Sequence, residues 1–156
     1  MERDRGLDDW ANVPVFGRRP ESEVSIIRPS AYILMEVAGG RLAVVRTWEG
    51  TFLPGGGIEA GEDVRDAILR EAVEECGLVV VPGGWAVRAV QLAWSPSIGA
   101  HLEKRSTFVD GSVIGPAATP AEPGHEVLRV EPSTALRRLS HESHCWAVEQ
   151  WLSVKR

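Results

Sequence analysis

The chain has 156 residues and a mass of 17.0 kDa, which is the size of one domain that buries its own apolar core. Its 17 Lys and Arg against 22 Asp and Glu give a formal net charge of −5, which argues against nucleic-acid backbones and anionic membranes as partners. No apolar run reaches membrane-spanning length and the N-terminus has no apolar leader, so we expect a cytoplasmic protein.

The N-terminal part is polar and contains several prolines, which predicts an arm over residues 1–29 and a single domain over residues 30–156. One strand is expected in the arm near residues 24–27. The arm either packs on the domain or pairs with a second copy of the chain. The sequence leaves the oligomeric state open, and a homodimer is the state that we expect.

The domain is predicted to begin with a β-hairpin, because two β-rich runs within residues 31–47 are separated by a pair of glycines. Later strands are predicted at residues 85–94, 104–113 and 126–130. A loop rich in Pro, Gly and Ala is expected from Gly115 to Gly124.

One helix is predicted from Asp63 to Cys76, since Glu62 and Asp63 suit its positive N-terminal end and Gly77 suits its C-terminus. Further helices are predicted at residues 132–139 and 144–155. Strands interleaved with two or three helices in a non-repeating order indicate an α+β fold with helices packed on a mixed sheet.

The two cysteines, Cys76 and Cys145, lie far apart in sequence and have neither CxxC nor Cys/His ligand spacing. The sequence therefore predicts neither a zinc site nor a disulfide framework. We expect two buried or idle thiols.

One face of the predicted helix is apolar in its first half and acidic in its second. At about 100° per residue, Glu71, Glu74 and Glu75 continue the core-facing stripe that begins with Val64 and Ile68. Like charges three or four residues apart repel one another, and more strongly when they are desolvated. A bound cation would offset this repulsion, and a hard divalent ion, which prefers oxygen ligands, suits the three carboxylates.

The spacing of these residues resembles the Nudix box, the signature of hydrolases that cleave a nucleoside diphosphate linked to another moiety. The matching positions are Gly56, Glu62, Arg70, Glu71, Glu74, Glu75 and Gly77. Ala72 stands where the family usually carries a larger aliphatic residue, which is a packing variation. The resemblance implies an α/β/α sandwich, with the box helix on one face of a mixed β-sheet and the C-terminal helix packed against it.

The resemblance also implies the roles of the box residues. It implies that Mg²⁺ or Mn²⁺ is held by the Gly56 carbonyl and by Glu71, Glu74 and Glu75. Glu71 is either a ligand or the base that deprotonates the attacking water, and the sequence does not separate these roles. Arg70 is expected to orient a box carboxylate. Glu62 is expected either to stabilise the start of the helix or to belong to the outer shell of the metal.

Many Nudix enzymes add a carboxylate from outside the box. Glu126 is the first candidate for this additional metal ligand, followed by Glu122 and Glu103. His125 is a candidate base, although a single loop histidine is more often solvated.

Aromatic side chains are candidates for substrate binding, because bases stack on them. Trp48, Trp94 and Phe108 are the candidates for lining a cleft, and core packing is the alternative for each. Trp146 and Trp151 are expected to pack a terminal helix.

The run His141-Glu142-Ser143-His144-Cys145 has the spacing of neither a metal site nor a triad. We expect it to start a helix with solvated imidazoles.

The resemblance therefore implies a metal-dependent hydrolase that cleaves a phosphoanhydride bond in a small nucleotide such as a nucleoside triphosphate, a nucleotide sugar or a dinucleoside polyphosphate. A first alternative is a Nudix module that binds a nucleotide without cleaving it. A second is an enzyme acting on the 5′ end of RNA, with a local basic patch formed by Arg137, Arg138, Lys155 and Arg156.

Overall fold

The computed structural model describes residues 10–155, and one mixed sheet of eight strands runs through this part of the chain. The strands are β1 (Val15–Gly17), β2 (Ile26–Val37), β3 (Arg41–Thr47), β4 (Gly50–Phe52), β5 (Gly55–Gly57), β6 (Leu78–Ser95), β7 (Ala100–Pro116) and β8 (Glu126–Val130). The main order is β1-β6-β7-β2-β3-β4, with β5 paired to β2 and β8 paired to β3. The β1–β6 and β2–β7 pairs are parallel, whereas the β2–β3 hairpin is antiparallel as predicted.

The first helix, α1 (Val64–Glu71), continues directly into a π-helical turn, Ala72–Cys76. Asp63 caps its start: the Asp63 carboxylate accepts from the Asp66 amide, and the Asp66 carboxylate accepts from the Asp63 amide. Gly77 ends it in the left-handed region, with φ of 63°. The predicted helix bounds are confirmed, and the wider last turn was not anticipated.

Two further helices, α2 (Pro132–Arg138) and α3 (Glu142–Val154), follow the last strand. They cover one face of the sheet, where a core cluster includes Leu34, Leu139 and Trp151. Helix α1 covers the other face, where Ile33 and Ile68 belong to a second cluster. Because neighbouring residues of β2 point to opposite faces, the sheet is the central layer of an α/β/α sandwich. The predicted α+β class is confirmed.

The described part of the N-terminal segment packs on the domain. Strand β1 adds to the edge of β6, and the ring of Phe16 lies 6.0 Å from that of Trp146. Residues 1–9 of the predicted arm lie outside the described residues. The division at residues 29 and 30 stays a prediction. Within residues 10–155, every helix is too short or too polar to cross a lipid bilayer.

The two longest strands extend well beyond their predicted bounds. β6 begins directly after the helix at Leu78, and β7 runs on to Pro116. The pairing of β6 with β7 is irregular between Pro82 and Ala86, where two glycines follow the proline. The predicted loop from Gly115 is correspondingly shorter at its start.

Both cysteines are free and half-buried. Burial raises the pKa of Cys76 to about 12, with the charges of Glu75 and Glu71 adding to the effect. Burial also raises the pKa of Cys145. The thiols are therefore protonated and unreactive at neutral pH, as expected for idle cysteines.

Candidate active site

The glycine-rich strand β5 brings backbone against the acidic half of the helix. Gly55 and Gly56 pair with Tyr32 and Ala31 of β2. At Gly55, where φ is 145°, a Cβ would come within 2.1 Å of the Ala31 carbonyl oxygen. At Gly56, a Cβ would lie 2.9 Å from Oε1 of Glu71. Glycine therefore permits the close approach of this strand to β2 and to a box carboxylate.

Arg70 lies at the centre of the box carboxylates, with 21% of its side chain exposed. Its Nε and Nη2 donate to the two oxygens of Glu62 at 2.8 and 2.9 Å. Its Nη1 donates to Glu71 at 2.9 Å and to Glu74 at 3.1 Å. Nη2 also donates to the Gly57 carbonyl at 3.0 Å. The hydrogen bonds to Glu62 are the main cause that raises the pKa of Arg70, so the guanidinium is a fixed internal cation.

Glu75 is held apart from this guanidinium. Its Oε1 accepts from the Gly55 amide at 2.7 Å. Burial is the main cause that raises the pKa of Glu75 to about 8; the charges of Glu71, Glu74 and Glu122 act in the same direction, and the Gly55 hydrogen bond opposes them. Burial also raises the pKa of Glu71, although Arg70 opposes the shift. The cluster thus carries more negative charge than one arginine neutralises.

The donor set fits a hard divalent cation in its chemistry, because it consists of carboxylates and the nearby Gly56 backbone. Among residues 10–155, no three His, Cys, Asp or Glu side chains are already arranged around one metal position. The hydrogen bonds explain this arrangement: Arg70 engages Glu71 and Glu74, and the Gly55 amide engages Glu75. A bound cation therefore requires these side chains to reorient.

The three candidates for an additional carboxylate lie in different surroundings. Glu126, the first candidate, forms an exposed ion pair with Arg46 of the neighbouring strand β3. Glu103 pairs with Arg105 at 2.8 Å. Glu122 is tied to the box helix, because its amide donates to the Glu74 carbonyl at 2.7 Å. Its charge also acts on Glu71 and Glu75.

A cleft of about 420 Å³ opens beside Glu75. Trp48 stands at its rim with 76% of the residue exposed. Its lining residues are Tyr32, Thr47, Trp48, Glu49, Phe52, Gly55, Glu75, Ser97, Lys104, Pro123, Gly124 and His125. The lining of the cleft therefore includes both Glu75 of the acidic cluster and the exposed ring of Trp48.

The other aromatic candidates lie elsewhere. Phe108 is fully buried and stacks on Tyr32 at 5.6 Å, which agrees with core packing, the alternative given for it. Trp94 is 54% exposed and packs edge-on against His101, and it is not among the residues that line this cleft. Trp151 of α3 is buried in the core, and Trp146 of the same helix packs against the same core cluster, as predicted.

The histidines at the start of α3 are not solvated, so that expectation is wrong. His144 is buried, and its Nδ1 accepts from the Leu53 amide at 3.1 Å. Burial lowers its pKa well below the usual value, with the charges of His141 and Lys104 adding to the effect. Burial, with Lys104, also lowers the pKa of His141 to about 4. Both rings are therefore neutral at neutral pH, with His144 in the core and His141 packed against Phe52 of the cleft lining.

Several residues of the cleft lining were missed in the sequence, among them Tyr32 and Lys104. Lys104 follows the buried Leu102 and precedes the buried Ser106 at alternate positions of β7. This alternation marked an inward-facing lysine, which is unusual enough to have identified it.

The family model described as NUDIX domain matches residues 26–152. A NUDIX hydrolase from Nitrosomonas europaea superimposes with a TM-score of 0.66 at 16% identity, covering 84% of this chain and 92% of that one. The MutT protein from Methanosarcina mazei Go1 gives 0.61 at 19% identity, covering 83% and 94%. The E. coli dihydroneopterin triphosphate pyrophosphohydrolase gives 0.54 at 14% identity, covering 81% and 97%. No curated protein matched the sequence. At these identities the structures bear on the fold alone, whereas the family match covers most of the chain.

Proposed function

The chain belongs to the Nudix family and is a pyrophosphohydrolase, and from this premise we propose that it depends on Mg²⁺ or Mn²⁺ and acts on a small nucleotide. The bond cleaved is a phosphoanhydride in a nucleoside diphosphate linked to another moiety. Nucleoside triphosphates, nucleotide sugars and dinucleoside polyphosphates are the candidate substrates. The observation that carries the proposal is the excess of box carboxylates over their single arginine, directly beside an open cleft.

Glu71, Glu74, Glu75 and the Gly56 carbonyl are the proposed metal ligands. A divalent cation in this position supplies charge neutralisation for the diphosphate and acidifies a bound water. Glu122 is proposed as the additional carboxylate in place of Glu126, because its backbone is attached to the box helix.

Arg70 is proposed as a positioning residue. Its hydrogen bonds to Glu62, Glu71 and Glu74 hold three carboxylates of one cluster in fixed relative positions. Glu71 acts either as a ligand or as the base that removes a proton from the attacking water. Nη1 of Arg70 donates to both Glu71 and Glu74. Glu71 is the more buried of the two, with 15% of its side chain exposed against 37% for Glu74.

Trp48 is the proposed stacking platform for the nucleobase. It is the exposed aromatic side chain of the cleft, and base–aromatic stacking contributes about 1–3 kcal/mol per base. Tyr32 and Phe52 form apolar wall behind it. Trp94 and Phe108 are not part of this proposal.

A nucleotide sensor on the same fold is disfavoured, because binding alone does not require the repelling box glutamates. An RNA 5′-end enzyme is disfavoured for a further reason. Within the predicted basic patch, Lys155 is paired with Glu36 and lies over the ring of Trp151, and Arg156 lies outside the described residues. A homodimer and a cytoplasmic location remain predictions.

The test is phosphate and pyrophosphate release from a panel of the candidate nucleotides, with MgCl₂, with MnCl₂ and with EDTA. Wild type, Glu75→Gln and the control Glu142→Gln are compared, since Glu142 lies on α3 and bonds Gln91. We expect metal-dependent turnover that only Glu75→Gln loses. Near-normal turnover by folded Glu75→Gln would contradict the proposal, and tight nucleotide binding without turnover by wild type would support the sensor.

A further inference from the structure

Lys104 reaches the cleft from the face of the sheet that α3 covers. Its neighbours at alternate positions of β7, Leu102 and Ser106, are buried, and the lysine itself lines the cleft. Among the cleft-lining residues it is the one with a lysine or arginine side chain. Burial lowers its pKa, with Arg28 acting in the same direction and Glu49 opposing the shift. An inward lysine of this kind needs a specific partner.

His141 is that partner. Nζ of Lys104 lies 3.1 Å from Nε2 of His141. An ammonium group has donors only, so Nε2 is the acceptor and the neutral ring carries its hydrogen on Nδ1. The His141 ring is itself packed between Phe52, at 5.0 Å, and His144, at 5.3 Å. The ammonium is therefore held against the aromatic wall of the cleft, with Nζ 5.7 Å from the Phe52 ring centre.

Different charges act on the two cleft residues Glu75 and Lys104. The charges that act on Glu75 are those of Glu71, Glu74 and Glu122. Lys104 instead responds to Glu49 and Arg28. The box carboxylates suit cations and, through these cations, the diphosphate. Lys104 is therefore left to contact another part of the nucleotide.

We propose that Lys104, held by His141, reads the nucleobase by donating to the keto oxygen and N7 of a 6-oxopurine, so that guanine and hypoxanthine nucleotides are preferred over adenine nucleotides. The inference rests on the proposed function, because it assigns the substrate class of the same cleft. It makes Lys104 a specificity-determining residue and His141 the residue that positions it.

The preference follows from donor and acceptor chemistry. A 6-oxopurine presents two adjacent acceptors, O6 and N7, to an ammonium group, whereas adenine places its N6 amino donor there. Glu49 also lines the cleft, and its charge acts on Lys104. A carboxylate has hydrogen-bond acceptors only. It matches the N1–H of an oxopurine and repels the N1 lone pair of adenine. Both side chains therefore discriminate in the same direction.

Inosine triphosphate and ATP are the matched probes, because their bases differ only at position 6 and in the proton on N1. Dissociation constants are measured by calorimetry with MgCl₂ in the Glu75→Gln background, and kcat/KM is measured in the wild-type background. We expect about a 10- to 100-fold preference for inosine triphosphate, the range of one good contact to a base edge. Lys104→Met should reduce this ratio towards one. The control Lys155→Met, whose lysine pairs with Glu36 away from the cleft, should keep it.

Variants of His141 test its positioning role. His141→Leu removes the acceptor and should lower the inosine-to-adenine ratio, whereas His141→Gln keeps an acceptor and should restore most of the ratio. Circular dichroism checks folding of each variant.

Equal affinity for both probes, a ratio unchanged by Lys104→Met, or no binding of either probe to folded protein would overturn the inference. Turnover that ignores position 6 leaves the hydrolase standing and refutes only the base reading. Selective binding without turnover of any nucleotide refutes the hydrolase and keeps the base reading.

Discussion

Replacing Arg70 with glutamine tests whether the box carboxylates are an over-charged cluster that needs cations. The substitution keeps a polar side chain of comparable reach but removes the positive charge. Glu71 and Glu74 then lose charge-assisted hydrogen bonds of 2.9 and 3.1 Å, and the Gly57 carbonyl loses one of 3.0 Å. In the variant, the box carboxylates lose the guanidinium that partly neutralises their charge in the wild type.

The size of the effect follows from burial. Arg70 is 21% exposed and Glu71 is 15% exposed, so solvent screens this pair only in part. Breaking a buried ion pair costs about 3–5 kcal/mol, and the greater exposure of Glu74 reduces this to about 3 kcal/mol. For a domain of this size, such a loss lowers Tm by about 6–12 °C. The matched control Arg46→Gln breaks an ion pair whose side chains are 55% and 54% exposed, and it should cost under about 1 kcal/mol.

Thermal unfolding of wild type, Arg70→Gln and Arg46→Gln is followed by circular dichroism in EDTA and in MgCl₂. Mg²⁺ should raise the Tm of Arg70→Gln by more than that of the other two proteins, because ligand binding stabilises the native state by mass action. An Arg70→Gln variant as stable as Arg46→Gln would refute the reasoning. Equal stabilisation of all three proteins by Mg²⁺ would refute it as well.

Three further predictions concern the same site and its supports. Because the folded-state pKa of Glu75, about 8, lies above its unfolded value, its ionisation destabilises the fold as pH rises from about 4.5 to 8. Glu75→Gln should therefore be about 2–4 kcal/mol more stable than wild type in urea at pH 8 with EDTA, and a less stable variant would contradict this. His141 has the opposite sign for pH, because its folded-state pKa of about 4 lies below 6.5, so it costs up to about 3 kcal/mol as pH falls through that window. The urea midpoint of His141→Gln should accordingly vary less between pH 7 and pH 5 than that of wild type, and parallel curves would exclude the effect. Gly56→Ala places a Cβ 2.9 Å from the mobile end of Glu71, so kcat should fall at least about tenfold while stability changes by under about 1 kcal/mol. Unchanged kcat would show that Gly56 and Glu71 need not approach each other.

The helix and its acidic half were readable from the sequence because their determinants are local. Asp63 and Gly77 mark the two ends, and the carboxylates fall on one stripe through helical spacing alone. The same holds for the β2–β3 hairpin, whose turn is a pair of glycines. Local patterns of this kind can be recognised without knowledge of the tertiary contacts.

The rest of the site depends on contacts between distant parts of the chain. Glu122 joins the cluster through a backbone hydrogen bond to Glu74, 48 positions earlier in the chain, and no local sequence pattern predicts this contact. The sequence leaves Phe108 open between a stacking role and core packing, and the pairing of β7 with β2 places it in the core beside Tyr32. His144 is buried because α3 packs on the sheet, where the Leu53 amide meets its ring.

The claim that the acidic end of the box helix is a divalent-cation site is tested most directly by Mn²⁺ binding, followed by electron paramagnetic resonance. Wild type, Glu75→Gln and Glu126→Gln are titrated with MnCl₂ in the absence of nucleotide. We predict a site that Glu75→Gln weakens by at least about tenfold and that Glu126→Gln leaves unchanged, since the loss of even a supporting contact costs about 10- to 100-fold in metal affinity. Equal Mn²⁺ affinity of wild type and Glu75→Gln would contradict the claim.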